Sequence, residues 1–316
     1  MGRYVAKRIL WMIPILLGVS FLVFTLMYFT PGDPAAIIMG AEATPAELEA
    51  CRVELGLNKP FFERYLLYVY NAFFHFDLGT SYINDRPVMT ELLQRFPYTF
   101  RVAGISVLIA MVIGIPLGVM AAVNQYTWKD NASMLVALFS MSMPNFWFAL
   151  MLVLLFSLKL GWLPATGIGH WTCYILPCFS IGVHSAAGLA RQTRSGMLEV
   201  IRQDYIITAR AKGQKEGKVI YGHALRNALI PIITQVGTML GHQMGGAIIA
   251  ESIFSIPGIG SYMSTAIKSR DYPVVQGGVL FVAVIFALSM LLVDILYAFA
   301  DPRMKSRYQT AKKRTA

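Results

Sequence analysis

Apolar runs long enough to cross a lipid bilayer constrain this chain more than any other feature. Residues 9–29 form one such run, and a hydrocarbon core of roughly 30 Å takes about 20 helical residues to cross. Further runs lie at 99–123, 132–160, 175–195, 228–250 and 273–300. The chain is 56% hydrophobic and only 14% charged, with a mean hydropathy of +0.56. A soluble domain of 316 residues needs more polar surface than that. The expectation is an all-α integral membrane protein with six transmembrane helices.

Charge orients the spans. Arg3, Lys7 and Arg8 precede the first run, so residues 1–8 are expected in the cytoplasm. The run is too long for a signal-peptide core and no small-residue cleavage site precedes Pro31, so it reads as an uncleaved span. Acidic residues outnumber basic ones across 30–98, which suits the outer face. Arg191, Arg194, Arg202, Arg210, Lys212 and Lys215 crowd the segment around 196–227, the strongest inside signal. The loop 251–272 then faces out, and the basic tail 301–316 returns inside. Six spans place both termini in the cytoplasm, as a multi-pass protein of the cell (inner) membrane. The net charge of +10 could suggest nucleic acid. The basic residues nevertheless sit at the ends of apolar runs, not on an aromatic-interleaved patch, so membrane lipid and topology account for them and no nucleic acid is expected. Cys51, Cys173 and Cys178 form neither a disulfide framework nor a metal cluster.

Local signals refine this plan. Thr44-Pro45-Ala46-Glu47 has the form of a helix start, with a Thr cap, Pro at the first helical position and an acid in the first turn. The aromatic residues Phe61, Phe62, Tyr65, Tyr68, Phe73, Phe74 and Phe76 suit either a surface for another protein or an interfacial helix on the headgroups. Gly114 and Gly118 form a small-residue pair suited to close helix packing, and Pro144 breaks the third run. The fourth run is weakly apolar and needs enclosure by neighbours.

Residues 199–231 form the one long polar, basic segment in the second half of the chain. Asp204–Lys212 carries helix formers, and Gly213 permits a sharp reversal. Small side chains at Thr208, Ala209 and Ala211 would let another surface approach the backbone. Thr208-Ala209-Arg210-Ala211-Lys212-Gly213, followed by His223-Ala224-Leu225-Arg226-Asn227-Ala228, resembles the cytoplasmic coupling loop of ATP-binding-cassette importer permeases, in the branch that takes dipeptides, oligopeptides and nickel. The general loop pattern is degenerate here: Ile207 stands where Glu is usual and Arg226 where Pro is usual. The branch pattern is matched, as it is at Pro31-Gly32-Asp33-Pro34, Ser142-Met143-Pro144, Ile256-Pro257-Gly258 and Arg270-Asp271-Tyr272-Pro273.

The resemblance implies a type I importer permease fold with a helical coupling loop. Asp204, Tyr205, Thr208, Ala209, Arg210, Ala211, Lys212, Gly213 and Arg226 would dock on an ATP-hydrolysing subunit. The implied partners are a second homologous permease, two ATP-binding subunits and an extracytoplasmic solute-binding protein. The implied activity is half of a translocation pathway for a short peptide, worked by alternating access. Nickel, a metal chelate or a glutathione-like peptide are alternative solutes.

No catalytic motif accompanies these features. Gly213–Lys218 lacks the spacing of a phosphate loop and follows no strand. No cofactor is expected in this chain, with ATP and Mg left to partner subunits. Polar residues inside spans are costly and therefore informative. Gln235 and His242, seven apart, share a helix face with Gln243 beside it. They could line a solute pathway or simply bond helix to helix. Asp294 could pair near the interface or, with His242, serve an ion-driven carrier. Glu251 and Asp271 border the expected outer mouth, where a cationic peptide terminus could meet them. Two histidines, His184 and His242, make no metal site by themselves.

Overall fold

A computed structural model describes residues 2–300 apart from Ala41 and Gly246, with side chains described from residue 5 to residue 295. In chain order the helices are α1 (Gly2–Phe29), α2 (Pro34–Met39), α3 (Pro45–Glu54), α4 (Phe61–Phe74), α5 (Val88–Val123), α6 (Trp128–Ser142), α7 (Asn145–Leu152), α8 (Ile175–Ile201), α9 (Asp204–Ala211), α10 (Leu225–Met244), α11 (Ile248–Ile253), α12 (Ile259–Ser269) and α13 (Tyr272–Ala300). A π-helical turn, Val153–Lys159, extends α7, and a second, Lys218–Ala224, leads into α10. The basic tail expected at 301–316 lies outside the described residues.

Four helices are long and apolar enough to cross a membrane: Val5–Phe29, Val88–Val123, Trp171–Ile201 and Tyr272–Ile295. Trp128–Ser142 and Asn145–Lys159, bent by 96°, make a fifth if they count as one span. The expected third span is therefore not straight. Pro144 forces Met143 into an extended conformation (φ −78°, ψ 130°), which ends α6. The expected fifth span, 228–250, is not among the apolar helices. Arg226, Asn227, Gln235, His242 and Gln243 dilute α10, and the helix stops at Met244 before a turn at Gly245. The expected six spans thus become four or five by length and apolarity among the described residues. The second span begins earlier than 99–123 suggested, because Val88 and Leu92 already face a core.

The chain divides into two compact units. The first comprises Met1–Phe100, Met244–Ser252 and Pro257–Leu288. Its core gathers Val88 and Leu92 of α5, Ile259 and Met263 of α12, and Val274 and Leu280 of α13. α4 lies along α1 through edge-on aromatic pairs, Phe21 with Tyr65 and Phe24 with Phe61, and the Tyr65 hydroxyl donates to the Leu17 carbonyl at 3.1 Å. α3 starts with a full capping box: Glu47 N–H donates to Thr44 Oγ1, and Thr44 N–H donates to Glu47 Oε2 at 2.8 Å.

Three buried carboxylates tie this unit's loops to its helices. Glu91 is held by Arg95 at 2.9 Å and Arg86 at 3.2 Å. Asp271 accepts from the Ser81 hydroxyl and, at 3.1 Å, from Tyr82 N–H. Glu251 is fully buried and accepts from Thr99 Oγ1 and from Ser261 N–H, each at 2.8 Å. Burial pushes the Glu251 carboxyl above the ordinary carboxylate range, and the hydrogen bonds from Ser261, Thr99 and Gly260 offset that only in part.

The second unit comprises Arg101–Gln243, Ile253–Ile256 and Ser289–Ala316. Here α5 meets α8 at backbone distance. A Cβ on Gly114 would lie 2.7 Å from Ala186 O, and one on Gly118 would lie 2.5 Å from Ala190 O. Lipid tails give helices no hydrophobic reason to associate, so close backbone approach matters more than in water. An ion pair between a buried acid and a half-buried arginine joins α6 to α8. Arg194 Nε and Nη2 donate to the two Asp130 oxygens, each at 2.7 Å, and Tyr126 N–H adds a third bond at 3.0 Å. Removing Arg194 would leave the buried Asp130 carboxylate with only the Tyr126 N–H as a partner. α8 has the enclosure its weak apolarity requires, with Leu176, Ile181, Leu189, Ala190 and Met197 all buried.

Two outcomes follow from this packing. Gly118→Ala should lower the thermal stability of the purified protein by about 1–3 kcal/mol through overpacking. Gly104→Ala, where a Cβ meets nothing within 4 Å, should be neutral or stabilising. The second outcome concerns Glu251, whose folded pKa is raised above 4.5. Its contribution is fully present below that ordinary value and is lost as pH rises through the folded one. The stability difference between wild type and Glu251→Gln should therefore shrink or reverse on going from acid to neutral pH, as read by melting temperature across a pH series.

Candidate functional site

α9 is short, and its two faces differ sharply. Asp204 supplies an acid in the first turn, favourable beside the helix N-terminus. Ile206 and Ala209, three residues apart, are buried against Val119 and Ala122 of α5, Met197 of α8, and Val219 and Ala224 of the following π turn. Asp204, Tyr205, Thr208, Arg210, Ala211, Lys212 and Gly213 are exposed, as is Arg226 on the first turn of α10. Ile207, 56% exposed, adds an apolar side chain to this outward face. Of the nine candidate loop residues only Ala209 points inward.

The chain reverses at Gly213, where φ is +74°, a conformation L side chains adopt at a cost of roughly 1–2 kcal/mol. Lys212 N–H donates to Thr208 O at 3.0 Å and Gly213 N–H to Arg210 O at 2.9 Å, closing the end of α9. Beyond the turn, Arg210 pairs with Glu216 at 2.6 Å, which holds the Glu216 carboxyl below its ordinary range. His223 Nε2 and Gln214 Oε1 lie 2.8 Å apart, and Asn227 donates to the Tyr205 hydroxyl at 2.8 Å. The result is a braced hairpin with an open outer surface and a buried apolar root.

The intramembrane candidates are more dispersed. Gln235 and Gln243 are half-buried on α10, and Gln243 Nε2 donates to Ser185 Oγ of α8 at 3.2 Å. His242 is exposed. Asp294 is half-buried on α13, one residue from Val293, whose side chain fills the space beside Gly237 of α10. His184 donates from Nδ1 to the Ser140 carbonyl at 3.2 Å. Among the described residues no three His, Cys, Asp or Glu side chains come close enough to hold a metal ion.

Glu251 and Asp271 do not stand open at a mouth. Both are buried, and their oxygens are taken by Thr99, Ser261, Ser81 and Tyr82. The turn from Pro257 to Gly260 folds over Glu251, and the Gly79–Val88 loop closes on Asp271. The Asp130–Arg194 pair had no signal in the sequence beyond its two charges, which stand 64 residues apart.

Residues 114–306 match the family model described as binding-protein-dependent transport system inner membrane component. Residues 1–103 match its companion, "Binding-prot-dependent transport system membrane comp, N-term". The chain is 42% identical to the dipeptide transport system permease protein DppB of Alkalihalophilus pseudofirmus, over 96% of this chain and 100% of that one. It is 41% identical to the glutathione transport system permease protein GsiC of Escherichia coli O6:H1, over 96% and 99%. In fold it is similar to an inward-facing structure of the MetNI methionine ABC transporter, with a TM-score of 0.57 and 19% identity, over 67% of this chain and 97% of that one. A match over most of the chain, relatives aligned end to end and a shared helical fold together make this protein a member of the binding-protein-dependent transport system inner membrane component family, the multi-pass permease subunits of ATP-binding-cassette importers.

Proposed function

We propose that this chain imports short peptides as one half of a permease pair, and that the α9 hairpin is where an ATP-hydrolysing subunit drives it. The observation that carries the proposal is the division of α9: its inner side is rooted among α5, α8 and the π turn, while its outer side presents Tyr205, Ile207, Thr208, Arg210, Ala211 and Lys212. A push on that outer surface is delivered directly to the ends of two long helices, because Ile206 and Ala209 leave no slack between them. The hairpin and both termini face the cytoplasm. A second homologous permease completes the pathway, two ATP-binding subunits dock beneath, and an extracytoplasmic binding protein delivers the solute. Closure of the ATP-bound pair rocks the spans outward, and hydrolysis resets them.

The short-peptide reading rests on relatives named for dipeptide and glutathione transport, both of them small peptides. Gln235, Gln243 and Asp294 supply hydrogen-bonding groups along α10 and α13 for a solute whose backbone is itself polar. Nickel or a metal chelate is the second solute class, and an ion-driven carrier is the rival mechanism.

Proteoliposomes separate these readings. With partner permease, ATPases and binding protein, uptake of a labelled dipeptide should require ATP. Uptake by this chain alone under a proton gradient would support the carrier instead. In the full assembly, Gly213→Val, or Arg210→Glu combined with Lys212→Glu, should reduce ATP-dependent uptake at least tenfold while membrane insertion stays normal. Unchanged ATPase stimulation in both variants would overturn the coupling role of the hairpin.

A further inference from the structure

Two polar fastenings join α6 to α8, and they fall in one register. At the start of α6, the Arg194 fork donates to both Asp130 oxygens at 2.7 Å, with Tyr126 N–H on the same carboxylate at 3.0 Å. Near the end of α6, His184 Nδ1 donates to the Ser140 carbonyl at 3.2 Å. A helix pairs each carbonyl with the N–H four residues on, and for Ser140 that residue is Pro144, which has no N–H. The proline that bends the span therefore also leaves an acceptor for α8 to fill. The two fastenings stand ten residues apart on α6 and ten apart on α8, about 15 Å along each of two antiparallel helices.

The rest of this face offers little grip. The buried residues of α6 are Asp130, Ser133 and Ala137, and the Ser133 hydroxyl is spent on the Lys129 carbonyl at 2.7 Å. The turn before α6 adds one exposed bond, from Arg202 to Gln125 at 3.2 Å. Sliding α6 along α8 by one turn, about 5.4 Å, would break both fastenings together and leave Asp130 buried without its cation. The arginine fork also fixes direction, since two parallel N–H bonds set the guanidinium plane against the carboxylate and a lysine supplies only a point charge.

The position of this clamp gives it a consequence for transport. Met197, about one turn from Arg194 on α8, lies in the cluster that seats Ile206 and Ala209 of the hairpin, and α6 contributes no residue to that cluster. At its far end α6 meets the 96° bend into α7. We infer that Asp130, Arg194 and His184 are positioning residues of the transport cycle. They hold α6 and α8 as one body, so that displacement of the hairpin reaches the bend at Met143-Pro144 instead of being lost as sliding between the helices. This rests on the coupling role proposed above for the hairpin.

The test is the number of labelled dipeptides imported per ATP hydrolysed by the complete transporter in proteoliposomes. A merely structural role lowers the amount of assembled transporter, and with it uptake and hydrolysis in proportion, which leaves that ratio unchanged. Arg194→Lys, which keeps Asp130 neutralised but loses the fork, should lower the ratio about fivefold, and so should His184→Leu. The dipeptide concentration giving half-maximal uptake should stay as in wild type for both. His184→Leu touches no charge, so it decides the matter if Arg194→Lys fails to assemble. The inference falls if either assembled variant keeps the wild-type ratio, or if the half-maximal concentration shifts, which would make the residue a solute contact. Gly213→Val measured in parallel separates the two readings. If it matches wild type while Arg194→Lys loses the ratio, the hairpin reading falls and the clamp stands, with force entering α8 elsewhere. If Gly213→Val loses uptake while Arg194→Lys keeps the ratio, the clamp falls and the hairpin stands.

Discussion

The contact between α5 and α8 is the constraint on which the second unit depends. Two glycines let the backbones touch, and the Asp130–Arg194 pair fastens α6 to the same helix. In water a helix pair would be held largely by apolar burial. In lipid that term vanishes between helices, and van der Waals fit and polar pairing must replace it. α8 is the least apolar of the membrane-crossing helices, which suits a helix surrounded by others rather than by lipid. It ends at Ile201, and α9 begins at Asp204. Whatever fixes α8 therefore fixes the root of the hairpin.

The first unit solves a different problem. Its long connections must be anchored without many apolar contacts of their own, and it uses buried acids to do so. Asp271 gathers the Ser81–Tyr82 loop, Glu251 gathers the turn after α11, and Glu91 gathers two arginines. A buried carboxylate is costly unless several donors meet it, so each of these loops has little freedom to reposition. The specificity of the arrangement comes from that cost: any alternative loop path would strand an acid.

Much of the helical plan was legible because long apolar runs have a single outcome in a bilayer. The Thr44 cap, the reversal at Gly213 and the helix of the loop were equally readable, since each depends on neighbours close in sequence. Other features were less legible. The stretch 228–250, expected as a span on average apolarity, comprises most of α10, a turn at Gly245 and the start of α11, and Glu251 just beyond it is buried. The third run was read as interrupted, but nothing local gives the 96° angle. Partners such as Asp130 with Arg194, or Ser81 with Asp271, lie 64 and 190 residues apart, and a single sequence carries no record of which distant charges meet. On α9 the helical spacing of Ile206 and Ala209 is visible in the sequence, but Ala209 read as part of the docking surface, because its burial depends on contacts with α5 and α8 that are distant in sequence.

The hairpin braces itself in two ways that respond differently to their surroundings. Ile206 and Ala209 are shielded from water, so dissolved ions leave their anchorage unchanged. Arg210 and Glu216 are largely exposed, and their attraction weakens within a Debye length of about 8 Å at physiological ionic strength. The exposed face of the hairpin can thus relax and re-form its charges without the root losing its seat. In the coupling role proposed for it, such a lever would be stiff at its membrane end and compliant at its outer end.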